Sequence, residues 1–338
     1  MDIQLRKKEM MDLRSPSDIL QIYVFSFNRG PFLKNCIQSL ERCVSEYFVT
    51  IIDDNSNDPE TVQVLKGLSK KYTVYQPDIG SAKSDFKTGG LSGNMNYAID
   101  DAIARNRKYA LFIQDDMQIV RTITDLDLEN FDRYFSGNKK SVELHTCFLK
   151  SKYRESDDHH SEIDSSRTAY VRDEDAIGNI YFSDVGVFYP KRVKELFGEF
   201  IVSDGDLVSE EENEERAKGL GLYMGVYAWP FMHWLPFPSS HRGKVRNLSH
   251  RLMERLGGSG MHPFEYMSAG MVETLMARDL EVRPYGEDFL KSPTAPIVPF
   301  WSTQGGKSNT NRRGGWRRIA GRMISRFDHL LRGVRSGL

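Results

Sequence analysis

The sequence is poor in the features that would assign it to several large classes at once. It has only three cysteines, Cys36, Cys43 and Cys147. An odd number, at a spacing that fits no zinc pattern, argues against a disulfide framework or a thiolate metal site and for a reducing compartment. No apolar run follows the start MDIQLRKKEMMDLR, so no secretory leader is legible there. Long uncharged runs are scarce. The longest without acid or base, Leu220 to Ser240, is long enough for a membrane span, which needs roughly 20 residues. It is broken by Pro230, Pro236, Pro238 and His233, so a strand with its following loop is the better expectation. There is no Walker A sequence. The glycines at 89, 90 and 93 lack the GxGxxG spacing and follow the third expected strand rather than the first, which excludes a dinucleotide-binding fingerprint. No internal repeats are found.

Net charge is also missing: 46 Lys and Arg oppose 47 Asp and Glu. The distribution is uneven. From Lys307 to Leu338 there are nine basic residues against Asp328 alone, a net +8, which leaves −9 for the remainder. Within that tail Trp316, Ile319, Ala320, Met323, Ile324, Phe327, Leu330, Leu331 and Val334 recur at helical spacing, with arginines on the remaining face. A basic amphipathic helix of this kind is expected to lie on an anionic membrane surface. The alternative is a helix docked on its own domain or on a second subunit, making a homodimer. No aromatic and basic reading surface accompanies it, so nucleic acid is not expected as a partner.

What is present is alternation of β-rich runs and helical patterns. Ile22–Phe27, Phe48–Ile52, Tyr72–Gln76 and Tyr109–Ile113 read as strands. Phe32–Cys43, Thr61–Leu68 (capped by Asn57 or Asp58) and about Asn94–Ala104 read as helices. That order predicts an α/β fold with a mainly parallel sheet covered on both faces. Cys36 and Cys43 would both face the core. The polar stretch Ser151–Asn179 reads as a mobile loop or insertion. Order resumes at Ile180–Tyr189, with a helix starting near Pro190, an acidic helix at Glu210–Lys218, a strand at Leu222–Ala228 and a helix at about Pro263–Ala277. Residues 1–290 are expected to form one domain, with a first half at about 20–120 and a second at about 121–290, which the resemblance given below makes the nucleotide-binding and acceptor halves. Residues 291–315 read as a linker and 316–338 as the basic helix.

Two acidic pairs close apolar strands: Asp53-Asp54 after the second and Asp115-Asp116 after the fourth. In open parallel sheets ligands bind beyond the carboxyl ends of the strands. Carboxylates there need a cation or hydrogen-bond donors, and hard oxygens suit magnesium or manganese, which in turn hold diphosphates. The bland alternative, a helix cap, suits Asp58 well and Asp115-Asp116 poorly, because Met117-Gln118-Ile119-Val120 continues in extended style. The run Asp157-Asp158-His159-His160 is tempting as a metal cluster, but adjacent residues in a polar loop rarely converge on one ion. It reads as solvated loop.

The runs Phe25-Ser26-Phe27-Asn28-Arg29, Ile51 to Asp58, Gly89 to Asn96 and Phe112 to Asp116 resemble, in order and spacing, the inverting glycosyltransferase family 2 of GT-A fold. The spore-coat polysaccharide type, with its bare Asp-Asp pair, is most similar. The resemblance implies a nucleoside-diphosphate sugar donor, a divalent cation and a hydroxyl acceptor, on a bacterial cell-surface polysaccharide or glycolipid. It implies that Asp54 contacts the donor base, that Asp115 lies near ribose and diphosphate, and that Asp116 ligates the metal. Phe25, Phe27, Asn28, Arg29, Asp53, Gly90 and Asn94 belong to the same donor-binding runs. Gln114 stands where the usual DxD motif has its first acid. The family's catalytic carboxylate before a helix, followed by Arg, Gly, a strand and His, finds Glu210, Arg216, Gly221, Leu222–Ala228 and His233. Glu211 is the alternative base, and a solvated acidic first turn the bland reading. His233 resembles a metal-site ligand, against the simpler role of a structural hydrogen-bonder. Arg242 and Lys244, in the basic loop Ser239–Arg251, are expected to close over the phosphates. Rival readings are a sugar nucleotidyltransferase and a non-catalytic, membrane-associated binding protein on a transferase scaffold. The expected location is the cytoplasm, with the tail attached to the inner face of the membrane.

Overall fold

The computed structural model describes residues 16–44, 47–77, 90–173, 182–202, 206–236 and 260–295. The expected basic tail, nearly all of the linker, Glu211's side chain, Arg242 and Lys244 lie outside these residues.

The first half alternates as read. Strand β1 (Leu20–Ser26) leads to helix α1 (Gly30–Cys43), β2 (Phe48–Asp53), α2 (Pro59–Leu68), β3 (Thr73–Tyr75), α3 (Leu91–Ala104) and β4 (Tyr109–Gln114). Asp58 caps α2, its carboxylate accepting from the Thr61 N–H at 3.0 Å. All seven residues of β1 are buried, and their alternation divides the core. Leu20, Ile22 and Val24 pack with Leu33, Cys36, Ile37, Leu40 and Cys43 of α1. Tyr23 and Phe25 pack with Met95, Ala98 and Ile99 of α3. A sheet covered on both faces is what such unbroken apolar strands require.

After β4 come the short β5 (Met117–Ile119), α4 (Asp125–Gly137), β6 (Ser141–His145), α5 (Arg154–His160), β7 (Ser161–Ile163), β8 (Ala169–Arg172), β9 (Gly186–Phe188), α6 (Asp206–Gly219), β10 (Tyr223–Tyr227), β11 (Met232–Trp234) and α7 (Ala269–Ala277). The main sheet has the order β3-β2-β1-β4-β9-β6-β10-β8-β7. Strands β3, β2, β1 and β4 are mutually parallel, while β9 runs antiparallel to both β4 and β6. The sheet is therefore mixed and mostly parallel, flanked by helices, the GT-A arrangement that the resemblance implies.

Three expectations are corrected. The stretch 151–173 is no loose loop: it supplies α5 and the antiparallel pair β7–β8 that extends the sheet. Its polarity reflects an edge position, where few side chains need to be apolar. Asp157 is not in a solvated loop but on α5, fully buried and 2.7 Å from Arg172. The helix expected from Pro263 begins only at Ala269, where Ser268 caps it by accepting from the Met271 N–H. As expected, the stretch 220–236 is strand and loop rather than a span, and it forms β10 and β11. No helix among the described residues is long and apolar enough to cross a membrane. All three cysteines are buried and free.

Candidate active site

The end of β1 organises the site. The Asp54 N–H donates to the Ser26 carbonyl, and the Asp115 N–H to the Phe25 carbonyl, both at 2.9 Å. The acids closing β2 and β4 are thus hung from neighbouring carbonyls of the strand between them. Immediately beyond, Asn28 adopts a left-handed conformation (φ 53°), which a side chain able to bond locally tolerates best. Its side-chain oxygen accepts from the Asn57 and Asp58 N–H groups, and its amide donates to Asn57 Oδ1 at 3.0 Å. Asn28 therefore staples the loop after β1 to the loop after β2.

The staple sends Arg29 across the cleft. Its Nη1 donates to Asp115 Oδ1 at 3.1 Å and to Asp116 Oδ2 at 2.5 Å. Asp115 Oδ2 accepts from the Phe27 N–H at 3.0 Å. Burial pushes the Asp115 carboxyl up to about 7, against the pull of Arg29 and with the added push of Asp116. Burial alone would lower the Arg29 guanidinium, but the two carboxylates outweigh it and raise it. Asp116 is buried, and its Oδ1 meets no hydrogen-bond donor among the described residues.

The neighbouring residues have distinct tasks. Asp53 is fully buried, with its carboxylate accepting from the Ser56 N–H and hydroxyl and from Gln76. It holds the turn. Half-buried Asp54 accepts from the Gly90 N–H at 2.9 Å, at the start of α3. A Cβ on Gly90 would sit 3.0 Å from the Asp54 carboxylate, so a side chain there would press on it. Phe25 is buried edge-on against Phe112, and Asn94 is buried in the first turn of α3. Gly89 lies outside the described residues.

Strand β11 pairs with β5, placing His233 opposite Gln118 and Trp234 opposite Met117. His233 is fully buried, and burial, with Lys150 and His145 nearby, holds it well below its ordinary range and so neutral. Its Nδ1 accepts from the Trp234 N–H at 2.8 Å. A neutral ring then carries its proton on Nε2, so as placed that buried nitrogen offers an N–H rather than a lone pair. A cation on His233 would require the ring to turn.

Gln114 is a bridge: its amide donates to Asp184, and its oxygen accepts from the Trp234 indole N–H at 3.2 Å. Asp184 in turn lines a small pocket with Leu91 and Ser92 of α3 and Glu210 and Asn213 of α6. Two asparagines fix that pocket's far wall. Asn96 exchanges two hydrogen bonds with the Phe200 peptide and Asn213 two with that of Ile201, tying α3 and α6 to one segment. Exposed Glu210 faces the pocket from the second turn of α6.

Sequence reasoning missed Asp184, Trp234 and Lys150. Asp184 lies just ahead of Gly186, and Trp234 directly follows His233; both positions carried a signal. Lys150, after the apolar run Cys147-Phe148-Leu149, carried none.

Residues 21–188 match glycosyl transferase family 2, and this segment, which bears both acidic pairs, belongs to that family. Among solved structures the chain is similar to S. aureus TarS 1-349, with 16% identity and a TM-score of 0.43, over 63% of this chain and 59% of that one. It is also similar to the mannosyltransferase PcManGT from Pyrobaculum calidifontis in complex with GDP-Man and Mn2+, with 12% identity and a TM-score of 0.37, over 68% and 64% of the two chains. This chain spans about three-fifths of the length of the first and 36% of the longer TarS structure. At such scores the assignment stands on the family match. No curated protein sequence matches the chain.

Proposed function

We propose that this protein transfers a sugar from a nucleoside-diphosphate sugar to a hydroxyl of a carbohydrate or glycolipid acceptor, by a single displacement that inverts the anomeric carbon. The observation that supports this most is that Asp54 and Asp115 hang from adjacent carbonyls at the end of β1, with Arg29 joining Asp115 to Asp116. In this reading Asp54 takes the base and ribose side of the donor, and Asp115 and Asp116 its diphosphate.

A divalent cation fits this cleft as a half-site. No group of three His, Cys, Asp or Glu side chains that could cage an ion is present among the described residues. Magnesium and manganese, however, are commonly held by one or two carboxylates together with substrate phosphates. The donor-less Oδ1 of Asp116 is an oxygen of that kind. When bound, the cation neutralises charge developing on the departing diphosphate. Arg29, already between the two acids, offsets their charge and adds a second positive charge on the phosphate side. Glu210, across the pocket from α3, takes the proton of the attacking hydroxyl. Arg242 and Lys244 are proposed to close over the phosphates, and the tail 316–338 to hold the enzyme on an anionic inner membrane face.

The test is product analysis over a panel of nucleotide sugars with manganese or magnesium. Release of nucleoside diphosphate together with a glycosylated acceptor is expected. Release of pyrophosphate would instead mark a nucleotidyltransferase. Cosedimentation with phosphatidylserine vesicles, lost on truncation at Gly315, tests the tail.

A further inference from the structure

Among the described residues Lys150 stands out as a cation that forms no ion pair. It follows β6, half-buried, in the segment where Leu149 bridges to Tyr285 and Cys147 to Met232. Its ammonium lies 4.7 Å from the centre of the Trp234 ring. It meets no carboxylate and donates no hydrogen bond among the described residues. The ring beneath it is fixed, because Trp234 is paired in β11 and its indole N–H is tied to Gln114. Burial, then Lys152, drives the amine down to about 8, with only partial relief from acids that include Asp116 and Glu287. Holding an ammonium partly out of water without a counter-ion is unfavourable. The fold nonetheless holds this one over an aromatic platform beside the acidic pair, since Leu235, next to Trp234, donates its N–H to the Asp116 carbonyl at 2.9 Å.

We propose that Lys150 is a substrate-anchoring residue that binds a phosphate oxygen on the acceptor side of the cleft, opposite Arg29. The acidic pair would then be flanked by a cation from each half of the molecule. Arg29 comes from the loop after β1, and Lys150 from the segment that follows β6. The phosphate can belong to the donor's diphosphate or to a phosphorylated acceptor. The shared chemistry is a tetrahedral oxyanion within reach of one ammonium whose other side is closed by an indole. A single point charge suits an oxyanion presented in more than one rotation. This inference rests on the cleft being the donor site, and its test separates the two.

Inorganic pyrophosphate is the first probe, read as thermal protection of wild type, Lys150→Met and Lys150→Arg in the presence of magnesium. Protection should be lost in the Met variant, with affinity weakened about tenfold or more, the size of one charge-assisted hydrogen bond. It should be largely restored in the Arg variant, which a merely structural role would not produce. Absence of protection in wild type, or equal protection in Lys150→Met, overturns the assignment. Nucleoside diphosphates form the second arm. If their binding weakens in step with pyrophosphate, the anchored phosphate is the donor's. If it is unchanged while pyrophosphate and glycerol phosphate binding is lost, it is the acceptor's. A wild type that binds pyrophosphate but no nucleotide leaves the anchor standing and removes the glycosyltransferase reading.

Discussion

Asp54 and Asp115, far apart in the chain, donate their backbone N–H groups to consecutive carbonyls of β1, those of Ser26 and Phe25. Their relative position is thus set by the main chain of one strand rather than by side-chain packing. A cleft defined in this way exists before any ligand arrives, which is the condition for electrostatic preorganisation.

Arg29 compensates two buried acids, so replacing it should be costly. Arg29→Met is expected to lower stability by about 3 kcal/mol, because a buried carboxylate is left without its partner. Urea unfolding measures this, and an unchanged midpoint with an unchanged slope would show that the pair contributes nothing.

Asn28 should matter through geometry. Asn28→Ala removes three hydrogen bonds, each worth about 1 kcal/mol net, from a residue with φ 53°. Asn28→Gly relieves the backbone and should lose less than Asn28→Ala. Equal losses would mean that backbone conformation is irrelevant there.

Glu210→Gln should leave donor-induced thermal protection intact while reducing transfer by about 100-fold or more, the range for loss of a general base. Normal transfer by this variant moves the base to Glu211 or elsewhere. Asp116→Asn should do the reverse, weakening nucleotide binding in the presence of manganese as well as turnover.

Glu143 predicts a pH effect on stability. Its Oε2 accepts from the Ser183 N–H at 2.9 Å, and its Oε1 is buried without a partner. Burial raises its carboxyl well above the ordinary 4.5, with the Ser183 bond opposing and Asp184 adding. The folded state therefore holds the proton more tightly than the unfolded chain. The contribution is fully present below the ordinary Glu range and is lost as pH rises above it. Glu143→Gln should flatten that decline in a series of urea melts. An unchanged profile would place the proton elsewhere.

The parallel half was legible because β1 and β4 are mostly apolar and are followed closely by Asn28 and by Asp115-Asp116, so both strand identity and the position of the acids are local properties. The acceptor half was less so. Strand β7, at the sheet edge, has one apolar residue in three, and its neighbour β8 is only four residues long, so neither announces itself. Trp234 meets Lys150 directly and Asp184 through Gln114, contacts between distant segments that no local pattern specifies. Even at the first site, the sequence shows two adjacent acids at 53 and 54 without revealing that one holds a turn and the other faces the cleft.

Gly186 joins the two halves. It lies on β9 opposite Phe112 of β4, with φ 127°, and a Cβ there would come within 2.6 Å of the Leu144 carbonyl on β6. The spacing between β9 and β6 is thus gauged by a hydrogen atom. Any larger substituent would wedge that seam apart, and the two ends of the sheet would shift relative to each other without a single one of the acidic residues being touched.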